Sequence, residues 1–374
     1  MADAGFDTVL RCVAGRGGGD AELCVTRTRD RRYEAREGRL DGIALAETVA
    51  LGLRVFRAGR MGFSYGFRGD AADLARMVEE ALFCADASDP DAAYGLPDAA
   101  GPATDLPLYD PSVETVPEAE KGEFARSLEA QVLARDPRVK RVRTAALRET
   151  VAAVSLFHSR GFAATRRVSF CSAYVETVAE ENGEGQTGYG FGVARSLRGL
   201  NAAAIADEGA SRALRMLRAV RPKTGEYKAV LENGAAAELL EVLIPSFLSS
   251  QVAKGKSMFA GKVGRKVASG AVTIEVDPLD PSGSGAEPFD GEGTPTRRRE
   301  LIAKGELRGF LADAFWGRKI GTGSTGACRR PGPKQPPTVG MPTTRKASVS
   351  RRDVVLAPPR ARQQSSPQAR AAAD

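Results

Sequence analysis

Between Gly225 and Gly326 the hydrophobic period of the sequence changes twice, and that change limits what the chain can fold into. Tyr227 to Leu231 alternates as a half-buried strand does, and Asn233-Gly234 breaks the run. From Ala235 the period becomes helical, with Leu239, Leu240, Leu243, Phe247 and Leu248 predicted to share a core-facing stripe. Pro245 lies inside that run. Its ring removes a backbone donor and clashes with the preceding turn, so the helix is expected to kink or end near Ile244. Ala271 to Asp277 is rich in β-branched residues and is closed by Pro278, which predicts a second strand.

The same stretch carries wording of unusual composition: Gly255, Ser257, Phe259, Gly261 and Gly264 in GKSMFAGKVG, then FDGEGTPTRR from Phe289 to Arg298, Gly305-Glu306-Leu307 and Ser324-Thr325-Gly326. In order and composition this resembles the TldD/PmbA family of metalloproteases. Gly95-Leu96-Pro97, following a helix that carries Ala85-Asp86-Ala87-Ser88, resembles the first domain of that family. The resemblance implies, for the catalytic branch, a helix bearing HExxxH in which two His bind zinc and the Glu acts as general base. Counting back without a gap from Ser257 and Phe259 puts the His positions on Leu240 and Pro245 and the Glu on Glu241. Neither Leu nor Pro can ligate a metal, so the chain is identified as a member of the PmbA (TldE-like) branch. The resemblance implies no catalytic residue and no cofactor in this chain, with zinc in a TldD-type partner. It further implies a cytoplasmic heterodimer that cleaves peptides or unfolded segments, leader peptides of modified bacteriocin precursors among them, gripped as extended strands at a sheet edge. Ser257, Phe259, Gly261, Phe289, Asp290, Glu292, Arg297 and Arg298 are then expected to shape the subunit or substrate interface.

The 374 residues allow two domains with separate cores, and no apolar run is long enough to span a membrane. Met1 to Cys12 lacks a basic segment followed by an apolar one, so no signal peptide is visible. The five cysteines, Cys12, Cys24, Cys84, Cys171 and Cys328, form no CxxC pair, as in a reducing, cytoplasmic protein. The formal charge of +7 resides in the tail: Arg329 to Asp374 holds ten Lys or Arg and two acids, leaving 44 basic and 45 acidic residues in the rest. Nucleic-acid binding, which would echo the family's association with DNA gyrase control, would therefore rest on that tail alone.

Ahead of Pro222 the pattern predicts α+β architecture: an antiparallel sheet with helices on one side. Glu22 to Arg27, Arg31 to Glu37, Gly52 to Arg57 and Met61 to Phe67 read as strands, the last two joined through Ala58-Gly59-Arg60. Asp70 reads as the N-cap of a helix burying Leu74, Met77, Val78, Ala81 and Leu82. Pro117 opens a helix with Phe124, Leu128 and Val132 on one face; strands follow from Val139 to Thr150, Thr150 to His158, Gly161 to Ala179 and Gly185 to Arg198, then a helix from about Ile205 to Val220. Domains are expected at 1–222, an N-terminal sheet-and-helix unit, and 223–330, a partial strand-rich C-terminal unit. The segment 331–374 holds eight of the 21 prolines and is expected to be disordered. Its departure from the family pattern points to a truncated or frameshifted reading frame.

Three other groups of residues invite a chemical reading. Gly62-Phe63-Ser64-Tyr65-Gly66 fits G-x-S-x-G, and a serine hydrolase would need His158, the only histidine, as its base; Ser64 lining a strand face is the simpler reading. Asp277, Asp280, Asp290 and Glu292 offer hard oxygen ligands, but their spacing fits no EF-hand, and a loop in which Asp290 accepts backbone hydrogen bonds accounts for them. Arg16 to Gly19 and Gly321 to Gly326 lack the Lys-Ser/Thr of a phosphate loop and read as turns.

Overall fold

The computed structural model describes residues 2–98, 104–341 and 345–349. Helix α1 (Ala2–Ala14) leads into strands β1 (Asp20–Arg36), β2 (Arg39–Arg57) and β3 (Arg60–Gly66), then helices α2 (Ala71–Ala87), α3 (Ser112–Thr115) and α4 (Glu118–Leu133). Strands β4 (Val139–His158), β5 (Ala163–Glu181) and β6 (Glu184–Ala194) and helix α5 (Ala202–Met216) complete the first half. The six strands form one antiparallel sheet in the order β3-β2-β1-β4-β5-β6.

Side-chain parity fixes which way this sheet faces. Leu23, Val25 and Tyr33 of β1 stand opposite Leu53, Leu51 and Ile43 of β2, and Leu23 and Tyr33 also stand opposite Phe157 and Leu147 of β4. All but Ile43 are buried in two adjacent cores, one against α1 and α2, the other against α3, α4 and α5. All five helices therefore cover one face, as expected. Asp70 caps α2 by accepting from Asp73 N at 2.8 Å, and Leu74, Met77, Val78, Ala81 and Leu82 are buried. Asn201 caps α5 in the same way.

The strands expected at 22–27 and 31–37 are one continuous strand. The charged stretch between them stays extended because its side chains find partners across the ladder: Asp30 accepts from Arg148 at 3.1 Å, and Arg31 reaches the buried Glu149 at 3.4 Å. The β2–β3 turn is made by Ala58 and Gly59, both with positive φ.

The second half packs on the opposite face of the sheet. It comprises α6 (Asn233–Leu243), a 3-10 turn (Ile244–Phe247), α7 (Ser249–Ala253), β7 (Val272–Val276), β8 (Arg299–Ala303), β9 (Glu306–Leu307), α8 (Ala314–Ile320), β10 (Cys328–Arg329), β11 (Thr338–Val339) and β12 (Arg345–Val349). The helix ends where Pro245 requires, in a 3-10 turn. Two expectations fail there. Tyr227 to Leu231 forms no strand, and Val230 is 99% exposed. A strand needs a free edge to pair with, and both edges of β7 are taken, by β8 and β12. Leu239 is 52% exposed rather than core-facing, while Leu240 and Leu243 are half-buried against a separate core that the second half forms around Phe247, Phe259 and Leu307.

The segment expected to be disordered from Pro331 is ordered through Met341. Val339 is buried and pairs with Cys328, Gly340 N donates to Ala327 O at 2.9 Å, and Arg345 to Val349 pairs with β7. Short strands that find ladder partners hold this piece despite its low apolar content. Residues 342–344 and 350–374 lie outside the described residues.

Candidate functional site

The phrase Phe289 to Arg298 forms the joint between the two halves. Asp290 and Gly293 close a tight turn: Asp290 N donates to Thr294 O at 2.9 Å and Gly293 N to Asp290 O at 3.2 Å. The Asp290 carboxylate accepts Glu292 N at 2.9 Å, Thr294 N at 3.0 Å and Cys328 N at 3.0 Å, so one side chain organises the loop and ties it to β10. Gly293 has φ +80, and a Cβ there would lie 2.7 Å from the Phe162 ring. Only glycine fits.

The turn aims Glu292 at the sheet. Arg54, in β2, donates to Glu292 Oε1 at 2.8 Å and grips Glu22 of β1 with two bonds, at 2.9 and 2.6 Å. Arg330 reaches Glu22 from the other side and donates through Nε to Gly291 O at 2.9 Å. The second oxygen of Glu292 accepts Ala314 N at 2.9 Å, at the start of α8, whose cap Asp313 accepts Trp316 N at 2.7 Å. Arg54 is 5% exposed and Glu22 0%. Charges this deep persist only when paired on every side.

Burial opposes the charge of Glu22, but Arg54 and Arg330 hold its carboxyl well below the usual carboxylate range. Asp290 and Asp313 go the other way. Burial, then the neighbouring Glu292 charge, push Asp290 up to about 8 against its backbone donors, and push Asp313 up to about 7. Burial and the same carboxylates raise the Cys328 thiol well above its ordinary value. Cys328 is fully buried beside them.

The expected interface set divides. Phe289, Asp290 and Glu292 are buried between the halves of this chain. Ser257 is buried, donating to Ser246 O at 2.6 Å and accepting Phe259 N at 3.1 Å, and Phe259 packs on Phe247 with ring centroids 5.0 Å apart. These five organise the interior. Gly261, Arg297 and Arg298 lie at the surface, Arg298 against Glu275. Of the acidic set, Asp277 and Asp280 accept Leu279 N and Ser282 N in loop turns, apart from the Asp290–Glu292 pair.

Leu240, Glu241 and Pro245 lie at the end of α6 and in the 3-10 turn, with Glu241 and Pro245 exposed. An aliphatic side chain and a pyrrolidine ring supply no donor, so this stretch does not fit the zinc that the family name implies. Among the described residues no three His, Cys, Asp or Glu side chains converge as a metal site.

The Ser64–His158 dyad is excluded by geometry. Phe63, Arg54, Glu22 and His158 stand opposite one another across four strands, so His158 lies about 14 Å from the β3 row at ~4.8 Å per strand. Ser64, one residue along, points to the other face and donates to Glu80 of α2 at 2.6 Å. His158 Nε2 stands 3.3 Å from Glu22, without an aligned hydrogen bond. The glycines of G-x-S-x-G have a packing cause: a Cβ on Gly62 would lie 1.7 Å from Ala81 O, and one on Gly66 2.7 Å from Met77 Sδ. They let α2 lie directly on β3.

Sequence reasoning missed Glu22, Arg54, Asp313 and Arg330. The available signal was parity: Glu22 and Arg54 are charges inside apolar strands, on the faces opposite Leu23 and Val55.

The sequence matches three domains described as PmbA/TldA metallopeptidase domain 1 over residues 21–85, the central domain over 111–217 and the C-terminal domain over 224–354. It is 27% identical over 335 residues to the metalloprotease PmbA of Escherichia coli O157:H7, covering 87% of this chain and 73% of that one. The metalloprotease TldD homolog of Haemophilus influenzae is 28% identical over 228 residues, 58% of this chain and 47% of that one. The fold is shared with TldE from Thermococcus kodakarensis, with TM-score 0.79 at 21% identity over 90% of this chain and 76% of that one. A Bacteroides thetaiotaomicron protein described as a candidate modulator of DNA gyrase gives TM-score 0.82 at 21% identity over 93% and 77%. With all three domains matched in order, the chain belongs to the PmbA/TldD metallopeptidase family.

Proposed function

We propose that this chain is a non-catalytic, PmbA-type (TldE-like) subunit that pairs with a zinc-bearing TldD-type subunit to cleave peptides or unfolded segments in the cytoplasm. One observation carries the reading. The positions that would hold the metal are Leu240 and Pro245, and the single histidine is buried across the sheet beside Glu22. Glu241 alone makes a poor site, because a lone carboxylate cannot fix a tetrahedral ion. The exposed Arg297 and Arg298 and the turn at Gly261 are the parts of the expected contact surface that a second subunit can reach.

The test is to purify the chain alone and together with a TldD-type relative. Alone, it should carry no stoichiometric zinc by mass spectrometry and cleave no unfolded casein. Together, the two should co-purify and cleave. About one zinc per chain, with peptidase activity in the isolated protein, would overturn the proposal.

A further inference from the structure

A cavity of about 240 Å³ lies between the helix-free face of the sheet and the joint at Phe289 to Gly291. One wall is apolar, made by Cys24, Val154, Leu156 and Phe289. The rest of the lining is polar, three guanidiniums (Arg166, Arg329 and Arg330) against the two carboxyls of Glu287 and Asp290. Arg166 is held in place by Glu287 at 2.8 Å and Phe289 O at 2.9 Å. Arg329 shares the same Glu287 through Nη1, and Arg330 is braced by Gly291 O and Glu22.

The acceptors are used up before the donors are. Glu287 serves two guanidiniums, and the Asp290 oxygens are taken by three backbone N–H groups. Arg329 Nη2 is left buried with no acceptor. A buried donor without a partner is costly, and native structures rarely keep one unless something fills the position. A second hollow of about 230 Å³ shares Cys24, Thr26 and Arg330 with the first and runs on beneath Gly332 and Pro333.

We infer that this cavity binds the terminal carboxylate of a peptide, with the carboxylate on Arg329 and the apolar side chain of the last residue against Val154, Leu156 and Phe289. A guanidinium fork matches a carboxylate in geometry and charge, and the apolar wall asks for more than a bare ion. The adjoining hollow gives the preceding residues a path. The inference deepens the peptide-handling reading and rests on it only for the source of the ligand.

The test is calorimetric titration of the full chain, alone, with N-acetyl-leucine, N-acetyl-leucinamide and acetate. The acid should bind about tenfold or more tightly than the amide, the difference a charge-assisted pair supplies. It should also bind more tightly than acetate. Arg329→Gln should lose that preference. Val154→Phe, which fills the cavity and leaves every arginine in place, should lose binding with an unchanged circular dichroism spectrum. Equal binding of acid and amide, or wild-type affinity in the Val154→Phe protein, would overturn the inference. Acetate binding as tightly as N-acetyl-leucine would leave only a small-anion site and overturn the peptide assignment. None of these outcomes depends on whether a zinc-bearing subunit is found.

Discussion

Arg54 is shared by Glu22 of the sheet and Glu292 of the second half, so its loss should be felt beyond one pair. Arg54→Ala leaves two buried carboxylates short of a counter-charge and should destabilise the protein by about 3–5 kcal/mol, read from urea denaturation midpoints. The pH dependence follows from the directions of the shifts. Glu22 is held below its ordinary range, so its contribution is present above about pH 4.5 and is lost as the pH falls through its lowered value. Burial pushes the Asp290 and Asp313 carboxyls up to about 8 and about 7; their contribution is full below the ordinary carboxylate range and is lost as the pH rises from there through the raised values. Thermal stability should peak at mildly acidic pH and fall on both sides. Asp313→Asn keeps a capping oxygen for Trp316 N but no longer titrates, so its melting temperature should drop less between pH 6 and 8 than that of the wild type. The Asp290 turn was legible in the phrase FDGEG. Its partners were not, because Glu22 and Arg54 lie 32 residues apart and Arg54 and Glu292 238.

Secondary structure with strong local grammar was readable from the chain. The α2 cap and stripe, the Ala58-Gly59 turn and the stop at Pro245 are settled by a few adjacent residues. α1 buries Phe6, Val9 and Val13 at helical spacing, a signal of the same local kind. Elements whose fate depends on a neighbour were misread. Tyr227 to Leu231 has the alternation of a strand and pairs with none, while residues 28–30, between the two expected strands, lie in one continuous strand held by cross-strand ion pairs. The edge strand β6 shows the converse problem, a strand with an open side. Glu208 accepts Phe191 N at 3.2 Å and Arg212 donates to Tyr189 O at 3.3 Å, so α5 occupies two backbone groups of this edge strand. Replacing both Glu208 and Arg212 with Ala should free that edge beside the exposed Tyr189 and Phe191, and self-association should rise with concentration in light scattering. A double variant that remains monomeric would show that the edge is protected by some other means.

Over the whole molecule, one sheet serves two purposes. Its helix-covered face is a conventional apolar core, and its other face receives the second half through a buried network of opposite charges. The most distinctive phrase in the sequence is thereby used largely inside the chain, with Arg297 and Arg298 exposed at its end. A buried ionic joint stabilises less than an apolar one of equal size but tolerates misalignment poorly, which suits a junction that must hold two halves in one relative position.

By itself the sequence determined the α+β class, the α2 stripe and cap, and the family, because each is written in residues close together in the chain. Tertiary structure alone decided that Phe289, Asp290 and Glu292 face inward, that Ser64 and His158 stand on opposite faces of the sheet, and that an arginine-lined cavity opens beside the joint. Those outcomes depend on which strands pair and in what register, and a one-residue change of register would turn Ser64 or His158 to the other face.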